Sequence, residues 1–202
     1  MESRRIAIIG SGTAGAAAAL FLSRIGHKIT LFEKVKHPEA VGAGVMLQPS
    51  GMSVLRELGL ENAILESGAI VERLYATTTK GKSVLDLRYK HLGNDYYGVG
   101  IHRGVLYQSL YDAVLNQPIN IEVGVDVSKI NDCEREGCSL VSTDGREFRG
   151  FNLVIVAAGA SPLPCVPPPA PATVGNKAAI LSVGGNPGTL ISGKMVLRLK
   201  LL

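Results

Sequence analysis

The sequence opens with a β-branched run, a long alanine-rich run and an alternating run, in that order. Residues 4–10 (RRIAIIG) predict a buried parallel strand, and residues 13–27 (TAGAAAALFLSRIGH) predict a helix that ends at Gly26. Residues 27–34 (HKITLFEK) alternate apolar and polar side chains and predict a second strand. This order is typical of an α/β fold with a parallel sheet.

The rest of the chain mixes helical and β patterns. We expect a glycine-bearing loop up to Gln48, followed by two short helices, a β-hairpin, a longer helix, a strand, a second hairpin and a buried parallel strand. The corresponding segments are 49–60, 61–68, 69–89, 100–116, 119–133, 138–150 and 151–161. The first hairpin interrupts the α/β pattern and is predicted to be an arm that belongs to a second, substrate-binding part. A decorative sheet without a role in binding is the alternative.

Three glycines between the first strand and the helix predict a dinucleotide site. Gly10 permits the tight turn, Gly12 lets the backbone approach a pyrophosphate, and Gly15 lets the helix pack closely on the strand. Thr13 and Ala14 then begin the helix, whose first amide groups lack intrahelical acceptors and favour an anion. Glu33 ends the second strand, at the spacing from which an acid accepts hydrogen bonds from adenosine ribose hydroxyls.

Two other interpretations of this stretch remain open. Arg4 and Arg5 precede an apolar stretch with small residues, as in a secretory signal peptide. A signal peptide, however, has no use for glycines at this spacing or for the second strand. A tight strand-to-helix turn without a ligand is the second alternative.

Charge and composition exclude several classes of function. The formal net charge is +4, but residues 162–202 hold Lys177, Lys194, Arg198 and Lys200 and no acid. The remaining 17 bases balance the 17 acids, so the basic character belongs to this segment. Residues 1–161 show no basic face interleaved with aromatics, and we expect no nucleic-acid binding. No apolar stretch has the length of a membrane span.

The cysteines do not predict a metal or redox centre. Cys133 and Cys138 flank an expected turn, without the spacing or the nearby histidines of a zinc site. We interpret the three cysteines as ordinary thiols of a reducing compartment, and we expect a cytoplasmic protein with no bound metal.

Several separate stretches resemble the FAD-dependent monooxygenases of the aromatic-ring hydroxylase type, the para-hydroxybenzoate hydroxylase-like family. "GSGTAGAAAALFLSRIGHKITLFEK" resembles their adenosine-pyrophosphate site, and "VGAGVMLQPSGMSVLRELGL" resembles their loop after the second strand. "HRGVLYQSL" is similar to their arginine-led helix. "FNLVIVAAGASP" stands in the place of their signature strand, which ends in Gly-Ala-Asp-Gly.

This resemblance implies FAD as the cofactor, NAD(P)H as co-substrate and a small aromatic molecule as substrate. It implies further cofactor contacts from residues that the glycine pattern does not identify. These are Lys34 near the adenosine phosphate, Gly44 and Val45 near the flavin, Arg103 on the cofactor, Val127 beside the adenine and Gly159 in the signature strand. Three alternatives remain: a solvated surface lysine for Lys34, an exposed arginine at a helix start for Arg103 and a plain strand residue for Val127. We assign no catalytic base.

The resemblance covers roughly residues 4–161, and two departures limit what it implies. Ala158 stands where the signature strand has an acid, which puts hydride acquisition in doubt. Residues 162–202 resemble nothing in the family, and six of the ten residues 162–171 are proline.

The predicted architecture is therefore a Rossmann-like FAD-binding domain over 1–161, with a parallel sheet. Residues 69–100 would form the β-hairpin arm of an incomplete substrate domain, and 162–202 a Pro/Gly-rich basic tail that is disordered or aberrant. The expected function is that of an FAD-binding oxidoreductase from this monooxygenase family, truncated or frame-shifted near Ser161. The alternatives are an inactive FAD-binding fragment and an NAD-binding oxidoreductase, which would use the same glycines and Glu33.

Overall fold

The structure, a computed structural model, describes residues 2–38, 43–131, 137–159 and 179–182. The chain divides into two compact units. Unit 1 comprises Met1–Pro38 and Tyr111–Leu202, and unit 2 comprises Glu39–Leu110. The segment expected to form an arm, residues 69–100, lies within unit 2.

The described residues form the following helices and strands. The helices are α1 Thr13–Arg24, α2 Pro49–Glu57, α3 Glu61–Ser67 and α4 Arg103–Leu115, with a short 3-10 helix at Tyr89–His91. The strands are β1 Arg5–Ile9, β2 Lys28–Glu33, β3 Gly44–Leu47, β4 Ala69–Val71, β5 Arg73–Thr77, β6 Ser83–Arg88, β7 Gly98–His102, β8 Asn120–Val123, β9 Val127–Asn131, β10 Cys138–Ser142, β11 Glu147–Phe151, β12 Leu153–Val156 and β13 Ala179–Ser182.

The main sheet of unit 1 is parallel, in the order β13-β12-β1-β2-β8. β1 lies at its centre, where Ile6, Ala7 and Ile8 are at most 1% exposed because both faces of the strand are covered. Helix α1 returns the chain from β1 to β2 and buries Ala16, Ala19 and Leu20. The predicted strand, helix and strand and the predicted return of residues 151–161 to the same sheet are therefore confirmed.

A second sheet of unit 1, β9-β10-β11, packs on the first. One cluster of buried side chains joins the two sheets: Ala7, Ile9, Phe32, Val125, Val127, Ile130, Cys138, Leu140, Phe151, Val154 and Val156. The prediction of a single strand over residues 119–133 is wrong. The segment is divided at Gly124, and β8 joins the main sheet while β9 joins the second, because Val125 donates its amide to the Glu33 carbonyl (2.9 Å) and the chain turns there.

Unit 2 contains an antiparallel sheet in the order β3-β7-β4. Two sequence expectations are wrong in this sheet. Residues 44–47 are not loop, and residues 100–102 are not the start of the helix. Gly44–Leu47 pairs with Gly98–His102, and this long-range pairing overrides the weak β propensity of two glycine-containing segments. The two short helices and the helical face of Leu106 and Leu110 are present as predicted.

The predicted hairpin of unit 2 is formed by β5 and β6. Its two strands pair with each other as a two-stranded sheet. Much of its apolar surface is exposed, including Tyr75, Val84, Leu85 and Leu87. Arg73 lies over the Tyr75 ring at 4.4 Å and forms a bidentate pair with Asp86.

Three further expectations meet the structure only in part. Cys138 is buried and disulfide-bonded, so its interpretation as an ordinary thiol is wrong; Cys133 lies outside the described residues. Of the expected tail, Ala179–Ser182 forms β13 beside β12, and the rest of the tail lies outside the described residues as well. No helix in the part of the chain that the structure describes is long and apolar enough to cross a membrane.

Candidate nucleotide-binding site

The predicted glycine loop lies at the carboxyl end of the main sheet, where the strand order changes direction. From β1 the chain continues to β2 on one side, and β12 pairs with β1 on the other. In open parallel sheets, ligands bind in the crevice at this point. The loop is tied to both neighbours, since Gly10 donates its amide to the Phe32 carbonyl (2.7 Å) and Ala157 donates to the Ile9 carbonyl (2.8 Å).

Gly10 and Gly15 have no room for a side chain. Gly10 has φ +99°, and a Cβ there would lie 2.7 Å from the Ala157 carbonyl oxygen. A Cβ on Gly15 would lie 1.9 Å from the Gly10 carbonyl oxygen. These are contacts between backbone segments, so a flexible side chain cannot relieve them. The two glycines set the turn and the close approach of α1, as their spacing predicts.

Gly12 differs from its neighbours because the space around it is open. Apart from Gly12 and its two chain neighbours, no described residue has a heavy atom within 4 Å of a Cβ built on Gly12. Gly12 is the N-cap of α1, and within the described part of the chain no side chain caps this helix end. The first turn, which begins with Thr13 and Ala14, contains no acid. The partial positive charge of the helix terminus therefore faces open space that a phosphate could fill, and the residues present fit a dinucleotide pyrophosphate.

Glu33 is held by amide and hydroxyl donors of the chain. Its Oε2 accepts hydrogen bonds from the Ser11 amide (3.0 Å) and from the Ser11 hydroxyl (2.8 Å). Its Oε1 accepts one from the Val35 amide (2.9 Å). Ser11 is 1% exposed. The strand-end acid therefore reaches back to the glycine loop, which places its carboxylate beside the start of α1.

The other residues predicted for unit 1 occupy different surroundings. Lys34 is exposed immediately after β2. Val127 begins β9 and is buried in the core cluster, so any contact with a nucleotide would come from its backbone. Gly159 is exposed and lies three residues after the end of β12, which is the strand that pairs with β1.

Unit 2 brings together its own three predicted residues. Gly44 pairs with His102 and Val45 with Ile101 across β3 and β7. Arg103 follows β7 as the first residue of α4, and its amide donates to the Ala43 carbonyl (3.0 Å). The Arg103 side chain is exposed. Segments almost sixty positions apart in sequence thus meet at one end of this sheet.

An ion pair near these elements stabilises unit 2. Arg56 of α2 donates through Nη2 (2.6 Å) and Nε (2.8 Å) to the two carboxylate oxygens of Glu61, which begins α3. The Tyr97 hydroxyl also donates to Glu61 (2.7 Å). These hydrogen bonds, from Arg56 first, lower the pKa of Glu61, and the bond to Glu61 raises the pKa of Tyr97. The group joins α2 and α3 to the residue before β7.

Sequence reasoning missed Ser11. The position lies inside the glycine motif, where the pattern demands only glycines and tolerates many residues between them. A signal was present in principle, because a hydroxyl residue next to Gly10 can reach an acid at the end of the neighbouring strand. Which of the intervening residues does so is decided by the turn.

Comparisons with known proteins agree with this geometry. The profile of the family described as "FAD binding domain" matches residues 4–145. An FAD-dependent monooxygenase, pynG, of Aspergillus niger is 30% identical over 161 residues, which are 78% of this chain and 37% of that protein. The 6-hydroxynicotinate 3-monooxygenase of Pseudomonas fluorescens is 32% identical over 119 residues, which are 56% of this chain and 30% of that protein.

A solved structure shows the same fold. A mutant of 2-methyl-3-hydroxypyridine-5-carboxylic acid oxygenase superposes with a TM-score of 0.67 at 25% identity, over 79% of this chain and 40% of that chain. This chain therefore spans between 30% and 40% of the length of these three relatives. The match extends through the glycine loop, Glu33, unit 2 and most of the second sheet, and the chain belongs to the FAD-binding-domain family of flavoprotein monooxygenases.

Proposed function

We propose that this chain binds FAD through the glycine loop of unit 1 and serves as the cofactor-binding part of an NAD(P)H-dependent monooxygenase that hydroxylates a small aromatic molecule. The observation that carries this proposal is the N-terminus of α1, which no side chain of the described residues caps. Its N-cap Gly12 faces open space at the switch point of the parallel sheet. The family match specifies FAD and thereby disfavours the alternative of an NAD-binding oxidoreductase.

In unit 1 several residues of the turn and its neighbours would each contact the ADP half of FAD. The amides at Gly12, Thr13 and Ala14 would donate to the pyrophosphate, with support from the helix dipole. Glu33 would accept a hydrogen bond from the ribose, since its carboxylate is already fixed beside the loop. Lys34, Val127 and Gly159 would complete the adenosine side, Val127 through its backbone.

In unit 2, Gly44, Val45 and Arg103 would contact the flavin half. Gly44 offers backbone without a side chain at the start of β3, and Arg103 is an exposed cation that no acid of its own first helical turn neutralises. Bound FAD supplies the redox chemistry, accepting electrons from NAD(P)H and activating dioxygen. The task of the protein is to bind, orient and shield the cofactor.

Two of the relatives support the substrate class that we propose. Their names specify 6-hydroxynicotinate and 3-hydroxybenzoate, both small ring acids that carry a hydroxyl group. We include a substrate of this kind in the proposal, together with a cytoplasmic location, where NAD(P)H is available.

The first experiment is an absorbance spectrum of the purified chain after incubation with excess FAD and removal of the free cofactor. We expect the bands of oxidised flavin to stay with the protein, and to be lost in Gly12→Val because the side chain fills the phosphate space. Gly51→Ala is the matched control, since its Cβ would make only an ordinary contact of 3.7 Å with Leu47. A folded but colourless protein would contradict FAD binding.

A second experiment tests the activity. The FAD-loaded protein is mixed with NADH or NADPH, with and without 6-hydroxynicotinate or 3-hydroxybenzoate, and nucleotide oxidation and hydroxylated product are measured. Product formation supports the monooxygenase assignment. FAD binding without nucleotide oxidation would restrict the function to cofactor binding, which the acid-to-alanine change at Ala158 favours.

A further inference from the structure

The Glu33 carboxylate is not equally available on its two oxygens. Oε2 accepts two donors from Ser11, the amide at 3.0 Å and the hydroxyl at 2.8 Å. Oε1 accepts the Val35 amide at 2.9 Å. An ionised carboxylate has about four lone-pair positions, two on each oxygen. The donors among the described residues therefore saturate Oε2 and leave roughly one position, on Oε1, for a donor from a ligand.

The Ser11 hydroxyl decides this asymmetry. The Ser11 and Val35 amides are fixed by the backbone, whereas a side-chain hydroxyl at this position depends on the residue. Without it, one lone pair of Oε2 becomes available and the carboxylate loses the short hydrogen bond that limits its rotation. Because Ser11 is 1% exposed, no surface water replaces the lost donor easily.

We propose that Ser11 is a positioning residue that orients the Glu33 carboxylate so that Oε1 alone accepts one of the two ribose hydroxyls of the ADP half of the cofactor. This inference rests on the proposed function of the site. It predicts that the chain distinguishes between the two ribose hydroxyls, and that the distinction depends on a residue that does not itself contact the ligand.

The test measures the affinity of the full chain for ADP, 2′-deoxy-ADP and 3′-deoxy-ADP by titration calorimetry. For the unaltered chain we expect one deoxy analogue to bind roughly tenfold more weakly than ADP, as for a lost hydrogen bond to a charged group, and the other to bind nearly as well. In Ser11→Ala the two deoxy analogues should bind within roughly threefold of each other, because the released carboxylate accepts either hydroxyl.

Two further variants separate positioning from general destabilisation. Ser11→Cys keeps most of the side-chain volume but is a weak donor, and should behave like Ser11→Ala; Ser11→Thr keeps the hydroxyl and should restore the distinction. Ser142→Ala is the matched control. Ser142 is also buried and its hydroxyl also donates to a carboxylate, that of Asp144, but it lies outside the glycine loop.

The outcomes are distinguishable. If Ser11→Ala and Ser11→Cys retain the distinction between the hydroxyls, or if the unaltered chain shows none, the role of Ser11 is overturned while nucleotide binding stands. If the unaltered chain binds neither ADP nor FAD, the proposed function itself fails. A loss of the distinction in Ser142→Ala would show that any destabilisation of unit 1 has this effect, and would overturn the positioning role.

Discussion

The Gly10 carbonyl oxygen lies so close to the Cα of Gly15 that a Cβ on Gly15 would be 1.9 Å from it. Gly10 is in turn pressed against the Ala157 carbonyl, where a Cβ would be 2.7 Å away. The turn, the first helical turn and Ala157, the residue after β12, thus meet mainly through backbone atoms. Gly12, which lies between these two glycines, has open space beside it.

Substitutions at Gly15 and at Gly12 should therefore have different effects, the first on stability and the second on FAD binding. We expect Gly15→Ala to lower the free energy of unfolding by about 3 kcal/mol or more, because the clash is with backbone. Gly12→Ala should cost about 1 kcal/mol or less, since an N-cap alanine loses only capping stability. The same variant should weaken FAD binding, because its methyl group enters the phosphate space.

Urea denaturation followed by circular dichroism, together with FAD titration, checks this separation. Equal losses of stability in the two variants would contradict the assignment of Gly15 to packing and of Gly12 to the ligand.

Arg103→Ala should weaken the binding of FAD but not of ADP. Arg103 is exposed after β7 and is assigned to the flavin half of the cofactor. Loss of a charge-assisted contact would lower the FAD affinity about tenfold. Lys90→Ala, which removes another exposed cation of unit 2, is the control and should leave both affinities unchanged. Equal weakening of FAD and ADP would assign Arg103 to the ADP half or to folding.

The ion pair between Arg56 and Glu61 predicts a pH-dependent stability. Because the pKa of Glu61 is lowered in the folded state, the unfolded chain binds more protons between the two pKa values, and stability rises with pH there. The contribution is complete above the unfolded value of about 4.5 and disappears as the pH falls through the folded value.

Thermal unfolding of the unaltered chain and of Glu61→Gln checks this prediction. The difference in Tm should be small, since the pair is partly exposed, and should be present at pH 7 and decrease below pH 4.5. A difference that grows on acidification would refute the sign. Glu66→Gln, which alters an exposed acid of the same helix, is the control.

Tyr89→Phe should destabilise unit 2 although only a hydroxyl is removed. Tyr89 is 1% exposed, and its hydroxyl donates to Oε1 of Gln48 at 2.7 Å. Leaving that oxygen without its donor should lower the free energy of unfolding by about 1 kcal/mol. The exposed Tyr75 provides the control, since Tyr75→Phe should change the free energy of unfolding very little. Equal effects of the two variants would argue against the buried hydrogen bond.

The sequence predicted the parts of the site whose chemistry is local. A turn between β1 and α1 requires glycine where the chain approaches itself, so Gly10, Gly15 and the acid at Glu33 are visible from spacing alone. The helix ends and the hairpin turn at residues 143–146 are local in the same sense.

The sequence did not predict what long-range pairing decides. β3 and β7 contain glycines and little β propensity, and each is a strand because the other is there. The division of residues 119–133 between two sheets depends on the bond from Val125 to Glu33, and the role of Ser11 depends on the same neighbourhood. These features need partners more than twenty positions away.

The central position of β1 has a consequence for the order in which the sheet forms during protein synthesis. During synthesis, β1, α1 and β2 leave the ribosome before the other elements of this chain. Unit 2 follows as one continuous segment, which can fold early through contacts between residues close in sequence. The parallel partner of β1 comes much later, since Ile9 pairs with Val156. The Ala157 carbonyl can therefore approach Gly10 only after residue 157 has been synthesised. Binding of the cofactor during synthesis would accordingly indicate that β12 has paired with β1. A ribosome stalled before residue 153 would carry the glycine loop without the strand that lies beside it.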